Sequence, residues 1–158
     1  MQLLIKQRIF TITDHYYVYD ETGEIRYEVE DELFRLGHQI HVYDKRTGRE
    51  VGSIHQRFFT LMPEFEIVID GRVMGTIRKK ISFFTPQYEV DYRGWHVEGN
   101  LMGWDYQVMR GDMEVMTISK ELFNWSDTYS LRYDNPADEI PGLLLVIAID
   151  AVNCDRNK

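Results

Sequence analysis

The chain has 158 residues and a formal net charge of −8 at pH 7, with 44% hydrophobic, 28% charged and 13% aromatic residues. This length suits a single domain, here residues 1–158, with a sizeable core, and the composition is typical of a soluble globular protein. The negative charge argues against a nucleic-acid-binding surface, which needs a basic face. It also disfavours non-specific attraction to anionic membranes, although it is compatible with a local basic patch.

The chain contains one cysteine, Cys154, which cannot form an internal disulfide. This usage is typical of a reducing compartment. The first apolar run extends only from Leu3 to Ile5 before Lys6 interrupts it, and no signal-peptide cleavage site follows. These features predict a cytoplasmic protein without a targeting segment.

Up to residue 134 the chain shows the period-two alternation that is typical of strands with one buried face. Phe65 and Ile67, for example, alternate with Glu64 and Glu66. Short turn signals such as Asp-Gly at 70–71 separate the alternating runs and predict hairpins. The pattern predicts twelve strands, at 3–10, 14–20, 25–30, 38–44, 50–58, 64–70, 72–81, 86–92, 95–99, 104–110, 114–120 and 128–134.

Residues 31–37 and 120–127 are expected to form loops or short helical turns. Two other segments resemble each other: FFTLMPEFEI at 58–67 and FFTPQYEV at 83–90, which begin 25 residues apart. This similarity indicates repeated hairpins within one sheet rather than separate domains.

The final element is a predicted helix at about 137–152, opened by capping and proline residues at 135–141. No residue from Leu143 to Ile149 is polar, so this helix is apolar on every side and must be enclosed. It is too short to span a membrane, which takes about 20 apolar residues. Since a flat sheet covers one side only, we predict a closed twelve-stranded antiparallel barrel around a buried hydrophobic C-terminal helix.

Motifs in order along the chain resemble the LURP-one-related family over about residues 3–153. They are IKQRIF at 5–10, YYVYD at 16–20, FFTP at 83–86, WHVEG at 95–99, ISKE at 118–121, WSDTY at 125–129 and IAID at 147–150. The resemblance implies the tubby C-terminal fold, a twelve-stranded barrel around a hydrophobic helix. Tubby domains bind phosphoinositide head groups, and phospholipid scramblases are proposed to share the fold. An anionic lipid-like ligand is therefore one expectation for this chain.

The run Arg78-Lys79-Lys80 is the best candidate for an anion site. Strand parity places Arg78 and Lys80 on one face, and Arg57 could lie nearby and complete a lipid or phosphate site. Lys79 falls on the apolar face, so it needs a bulge or a buried carboxylate. The alternative interpretation is a solvated strand edge protected by charge.

Other polar residues give weaker signals. A regular hairpin would place His38 opposite His55, as a possible metal-binding pair, but a shift of one residue would separate them. Ser119 and Ser126 lack the surroundings of a nucleophile, and no glycine-rich phosphate loop is present. Asp150, inside the apolar helix, should meet a cation or backbone donors near the barrel mouth.

The three tryptophans, Trp95, Trp104 and Trp125, are expected to plug the core or to cover a ligand cleft.

No catalytic, cofactor or metal motif stands out, and no transmembrane segment is expected. We expect a non-enzymatic binding or scaffold domain that recognises an anionic lipid-like ligand or a protein partner. The alternative is a small-ligand carrier or an enzyme with a site near the barrel mouth. A helix inside the barrel favours the first, because it fills the space that an interior ligand would need.

Overall fold

The computed structural model describes residues 1–6, 15–34, 37–84, 87–101, 103–121 and 128–154, excepting the side chains of residues 33, 34 and 154. Within these ranges the chain forms twelve strands, a short 3-10 helix and one α-helix. The strands are β1 (Gln2–Lys6), β2 (His15–Asp20), β3 (Ile25–Phe34), β4 (Gly37–Asp44), β5 (Glu50–Gln56), β6 (Glu64–Ile69), β7 (Arg72–Lys80), β8 (Gln87–Tyr92), β9 (His96–Asn100), β10 (Asp105–Arg110), β11 (Met113–Glu121) and β12 (Thr128–Tyr133). The 3-10 helix is Pro136–Asp138, and the α-helix, α1, is Glu139–Cys154.

The strands form one antiparallel sheet that curls into a nearly closed barrel. Its order is β8-β7-β6-β5-β4-β3-β2-β1-β12-β11-β10-β9, so β1 and β12 join the two halves of the chain. β8 and β9 are the two ends of this order and are not hydrogen-bonded to each other. The predicted fold, a twelve-stranded antiparallel barrel around a C-terminal helix, is confirmed. The structure adds that the barrel is not fully closed, because β8 and β9 are unpaired with each other.

Bulges give the sheet part of its curvature. An extra residue in one strand increases the local twist and bends the strand. Register shifts occur between Val18 and Tyr19, Val42 and Tyr43, Ile67 and Val68, and Val108 and Met109. All four lie close to a tight turn, in the hairpins β2–β3, β4–β5, β6–β7 and β10–β11, which supports the repeated-hairpin interpretation of the sequence.

The helix α1 fills the centre of the barrel. Every residue from Leu143 to Ile149 is at most 2% exposed. The inward residues of the strands pack against them, for example Ile54, Ile67 and Ile77, all at 0% exposure. The fit is close at Gly52 of β5, where an added Cβ would lie 2.5 Å from Leu144 Cδ1. A helix with no polar face is therefore stable here because strands surround it.

The start of α1 is fixed by polar contacts, exposed at Asn135 and half-buried at Glu139. Asn135 accepts a 3.0 Å hydrogen bond from the backbone N–H of Ala137, which caps the 3-10 helix. Glu139 then accepts hydrogen bonds from the hydroxyls of Tyr27 and Tyr133. At the other end of α1, the Tyr88 hydroxyl donates to Asn153 Oδ1. Strands β3, β8 and β12 thus hold both ends of the helix in place.

One predicted boundary is wrong. The stretch 31–37 was expected to be loop or helical turn, but β3 continues through Asp31 to Phe34 and β4 begins at Gly37. The predicted strand ended at residue 30, but β3 remains paired with β4 beyond that point, with Asp31 opposite Ile40 and Glu32 opposite Gln39. For 120–127, Lys120 and Glu121 belong to β11, and 122–127 lie outside the described residues.

Candidate docking surface

Among the described residues, most of the exposed large apolar side chains lie on two neighbouring hairpin loops at one end of the barrel. The loops join β5 to β6 and β7 to β8, and they lie at the same end because successive strands are antiparallel. A hydrogen bond of 3.2 Å from the Lys79 N–H to the Pro63 carbonyl connects their bases. We call the following residues the apolar crown: Phe58, Phe59, Leu61, Ile81, Phe83 and Phe84.

The crown is unusually exposed. Phe59, Phe83 and Phe84 are 107%, 94% and 97% exposed, and Leu61 is 90% exposed. Single exposed apolar residues are normal on protein surfaces, but a group of them on adjacent loops indicates an interaction site.

Phe59 also adopts an unfavourable backbone conformation, with φ 59°. A positive φ is rare for a bulky residue without a local compensating contact and costs about 1–3 kcal/mol. The neighbouring Phe58 is half exposed, and its ring lies close to Gly37, where an added Cβ would come within 3.0 Å of Cε1. The loop therefore anchors one phenylalanine and presents the next one to solvent.

Cations lie beside the crown, but the predicted anion-site residues are interleaved with carboxylates. Arg78 donates from Nε and Nη2 to Glu89, at 3.0 and 2.6 Å. Arg57 lies 3.3 Å from Glu64 and 3.4 Å from Glu66. Both arginines thus already have acidic partners on neighbouring strands.

The hydrogen bonds from Arg78 hold the pKa of Glu89 below its ordinary value and raise the pKa of Arg78 itself. Glu64 pairs with Arg78 in the sheet and also contacts Arg57, so it separates the two arginines. The structure therefore brings these arginines to the same end of the sheet without forming a preassembled phosphate pocket from them.

The two lysines differ from the arginines. Lys80 is exposed, Lys79 is half-buried, and neither makes an ion pair within the part of the chain that the structure describes. The register at Lys79 is regular, opposite Tyr88, so no bulge turns it outward. Parity correctly placed Arg78 and Lys80 on the outer face, with Ile77 buried on the inner one.

The other candidate residues are dispersed. His55 pairs with Gln39 rather than His38, because the bulge between Val42 and Tyr43 shifts the register. His38 instead lies 3.0 Å from Asp31, and the ring centroids of His41 and His55 lie 6.2 Å apart. The one-residue shift that would separate His38 from His55 is therefore present, and the two histidines do not face each other.

Two of the tryptophans belong to the core. Trp95 is 2% exposed. Trp104 is half-buried and stacks on Tyr129, with 3.9 Å between the ring centroids. Trp125 lies outside the described residues. Asp150 is half-buried and contributes to raising the pKa of the fully buried Tyr106, a rise that comes mainly from burial.

In the described part of the chain, the surface depressions of note are small. One of about 260 Å³ is lined by Glu28, Glu30, Tyr43, Asp44, Lys45 and Gly48, and another of about 220 Å³ is lined by Glu64, Thr76, Arg78, Glu89 and Asp91. Pockets for small organic ligands usually measure about 300–1,000 Å³ and are mostly apolar. Among the described residues, no helix is both long and apolar enough to cross a membrane.

Twelve antiparallel strands wrapped around an apolar C-terminal helix define the structural class of this protein. The model of the LURP-one-related family matches residues 1–150, and the chain belongs to that family. The resemblance seen in the sequence motifs is thereby confirmed.

Two relatives extend this assignment. The chain is 28% identical over 152 residues to the uncharacterized protein YxjI of Bacillus subtilis (strain 168), which covers 96% of this chain and 93% of that protein. It is also similar in structure to a protein from Arabidopsis thaliana, AT5G01750, solved by X-ray crystallography. The TM-score is 0.60 at 15% identity, over 94% of this chain and 90% of the other, which shows a shared fold.

The similarity of the two crown segments is visible in the sequence, but their exposure is not. FFTLMP and FFTP were recognised as similar to each other, yet their residues were assigned to strand ends and loops without a function. The available signal was the position of each Phe-Phe pair: both pairs fall where the period-two pattern stops, at which a buried strand residue is not expected.

Proposed function

We propose that this protein is a non-enzymatic binding domain that docks reversibly on anionic phospholipid surfaces through the apolar crown. The observation that carries the proposal is the exposure of Phe59, Leu61, Phe83 and Phe84, each at 90% or more, on two adjacent loops. The small, charged depressions elsewhere support a binding role over an enzymatic one.

The energetics favour weak and reversible binding. Full transfer of a large apolar side chain from water contributes about 1.5–3 kcal/mol, so four such residues contribute at most about 6–12 kcal/mol. A single myristoyl chain, with a comparable transfer energy, binds membranes only marginally. The crown therefore needs a second source of attraction.

Lys80 supplies that attraction. A lysine near an anionic bilayer contributes about 1 kcal/mol, and exposed Lys80 makes no ion pair in the described part of the chain. The net charge of −8 opposes approach, but salt screens charges beyond about 8 Å at physiological ionic strength. The groups nearest the bilayer then decide the sign of the interaction.

Vesicle sedimentation tests the proposal. We expect the protein to sediment with neutral phosphatidylcholine vesicles weakly and with vesicles containing phosphatidylglycerol more strongly. The double variant Phe59→Ser/Phe84→Ser should reduce binding to both by about a hundredfold, since two buried phenylalanines are worth about 3 kcal/mol or more when fully inserted. Lys80→Gln should weaken only the binding to vesicles that contain phosphatidylglycerol, by about fivefold.

Met113→Ser is the matched control. Met113 is 59% exposed but follows the β10–β11 turn at the opposite end of the barrel, so its loss should leave binding unchanged. If the wild-type protein sediments with neither vesicle type, the membrane assignment is wrong and a protein partner becomes the better explanation of the crown. Equal binding by the wild type and the double variant would show that the crown is not the docking surface.

A further inference from the structure

The outer face of β2 and β3 brings together one histidine and two glutamates. Candidate ligand atoms of His15, Glu28 and Glu30 all lie within 4.8 Å of one another. The register explains this proximity, because His15 pairs directly with Glu30 and Glu28 is two residues along the same face of β3. All three side chains are half-buried. This cluster is separate from the apolar crown and uses none of its residues.

One carboxylate of the cluster is already oriented. Lys45 Nζ donates to Glu28 Oε2 at 2.8 Å, while Glu28 Oε1 faces His15 Nε2. These two hydrogen bonds, that of Lys45 first, lower the pKa of Glu28. Lys45 thus acts as the outer partner that fixes the carboxylate. The other oxygen of Glu28 faces His15 Nε2, and a metal ion would replace the proton that the two atoms share.

The second carboxylate, that of Glu30, is unpaired in the part of the chain that the structure describes. Within the described residues Glu30 makes no hydrogen bond or ion pair, although it is half-buried and lies between His15 and His41 on the neighbouring strands. A half-buried carboxylate without a cation is unfavourable. A depression of about 260 Å³ opens beside Glu28 and Glu30, so an ion could reach them.

The surrounding potential is negative. Tyr43, which lines the same depression, has its pKa raised by burial and then by Glu50, Glu30, Glu32 and Glu28. With a neutral His15, the charges of Glu28, Glu30 and Lys45 sum to −1. A divalent cation would turn this excess into a net charge of +1.

We propose that His15, Glu28 and Glu30 bind a divalent transition-metal ion of the Zn²⁺ type. One imidazole nitrogen and two carboxylate oxygens suit zinc, whose tetrahedral ligands lie about 3.3 Å apart. His15 and Glu28 are already in hydrogen-bond contact, so side-chain rotation must move mainly the Glu30 carboxylate, by up to about 1.5 Å from the 4.8 Å limit of the cluster. Three protein ligands leave the fourth position to water or a small anion. Mg²⁺ and Ca²⁺ prefer all-oxygen sites and fit less well.

Competition with a chromophoric zinc indicator tests this site, with Zn²⁺ itself as the probe. We expect the wild-type protein to bind one equivalent. His15→Ala and Glu30→Gln should each weaken zinc binding by about tenfold or more, as expected for loss of a ligand. The near-isosteric Glu30→Gln change keeps the size of an outward side chain, and unfolding curves of the metal-free variants will show that they fold like the wild type.

His96→Ala is the matched control. His96 also pairs with a glutamate, at 2.9 Å from Glu98 on β9, but no third ligand group joins them among the described residues. Its zinc affinity should equal that of the wild type. Full affinity in His15→Ala or Glu30→Gln, an equal loss in His96→Ala, or no stoichiometric uptake by the wild type would overturn the assignment.

Discussion

Leu145→Asp is expected to leave the chain unfolded, and Leu145→Ala to lower the free energy of unfolding by about 2–5 kcal/mol. Leu145 is 0% exposed in the middle of α1, so truncation leaves a cavity that the surrounding strands cannot fill. An aspartate there would be a buried charge without a partner. Its cost, several kcal/mol in addition to the lost packing, is comparable to the total stability of about 5–15 kcal/mol of a typical domain.

Urea denaturation followed by far-UV circular dichroism measures both effects. Leu61→Ala provides the control, because it makes the same change at a residue that is 90% exposed. We expect that variant to stay within about 0.5 kcal/mol of the wild type. Equal costs at Leu145 and Leu61 would contradict the enclosure of the helix.

The second large effect is unfolding at alkaline pH. Burial raises the pKa of Tyr27, Tyr92, Tyr106 and Tyr133, in the case of Tyr92 to about 12. Hydrogen bonds to Glu139 raise the pKa values of Tyr27 and Tyr133 further.

The sign of the pH dependence follows from the direction of these shifts. The unfolded chain loses its phenolic protons near pH 10, whereas the folded chain retains them. The stabilisation is therefore fully present below pH 10 and is lost as the pH rises toward the folded pKa values. Each such tyrosine removes about 1.4 kcal/mol of stability per pH unit in that window, so four of them should unfold the protein between about pH 10 and 12.

Urea midpoints at pH 8, 10 and 11, with tyrosinate absorbance recorded in parallel, provide the measurement. The variant Tyr92→Phe makes this test more specific, because the Tyr92 hydroxyl is buried without a hydrogen-bond partner in the described part of the chain. This variant should match the wild type at neutral pH and lose less stability above pH 10, by about 1.4 kcal/mol per pH unit. Titration of all tyrosines near pH 10 in a chain that stays folded would contradict the prediction.

The architecture could be predicted because two physical signals agree. Alternation such as Phe65, Glu66, Ile67 predicts strands with one buried face. The segment 143–149 predicts a helix with no solvent-exposed face. Only a curled sheet satisfies both. The predicted helix at 137–152 and the observed α1, Glu139–Cys154, accordingly differ by two residues at each end.

Register was less predictable, since it depends on where bulges fall. The bulge at Val42 and Tyr43 shifts β5 by one position and places Gln39, not His38, opposite His55. Nothing in the local composition marks that extra residue. The cluster of His15, Glu28 and Glu30 could not be predicted for the same reason. The proximity of His15 to Glu30 follows only when the pairing of β2 with β3 is known.

The crown was missed for a different reason. Apolar side chains in a sequence are normally assigned to the core, and exposure is a property of the loop rather than of the residue type. The positions of the charged residues on β7 were predicted more fully. Arg78 and Lys80 do lie on the outer face, but the cross-strand glutamates that pair with the arginines are set by register and could not be read from the sequence.

Amide hydrogen exchange of residues 143–149 tests the enclosed helix most directly. Enclosed amides exchange only when the whole barrel opens, so their opening free energies should equal the global free energy of unfolding from urea. They should also be independent of protein concentration. Exchange of these amides several kcal/mol more easily than global unfolding, or protection that grows with protein concentration, would contradict a helix held inside its own barrel.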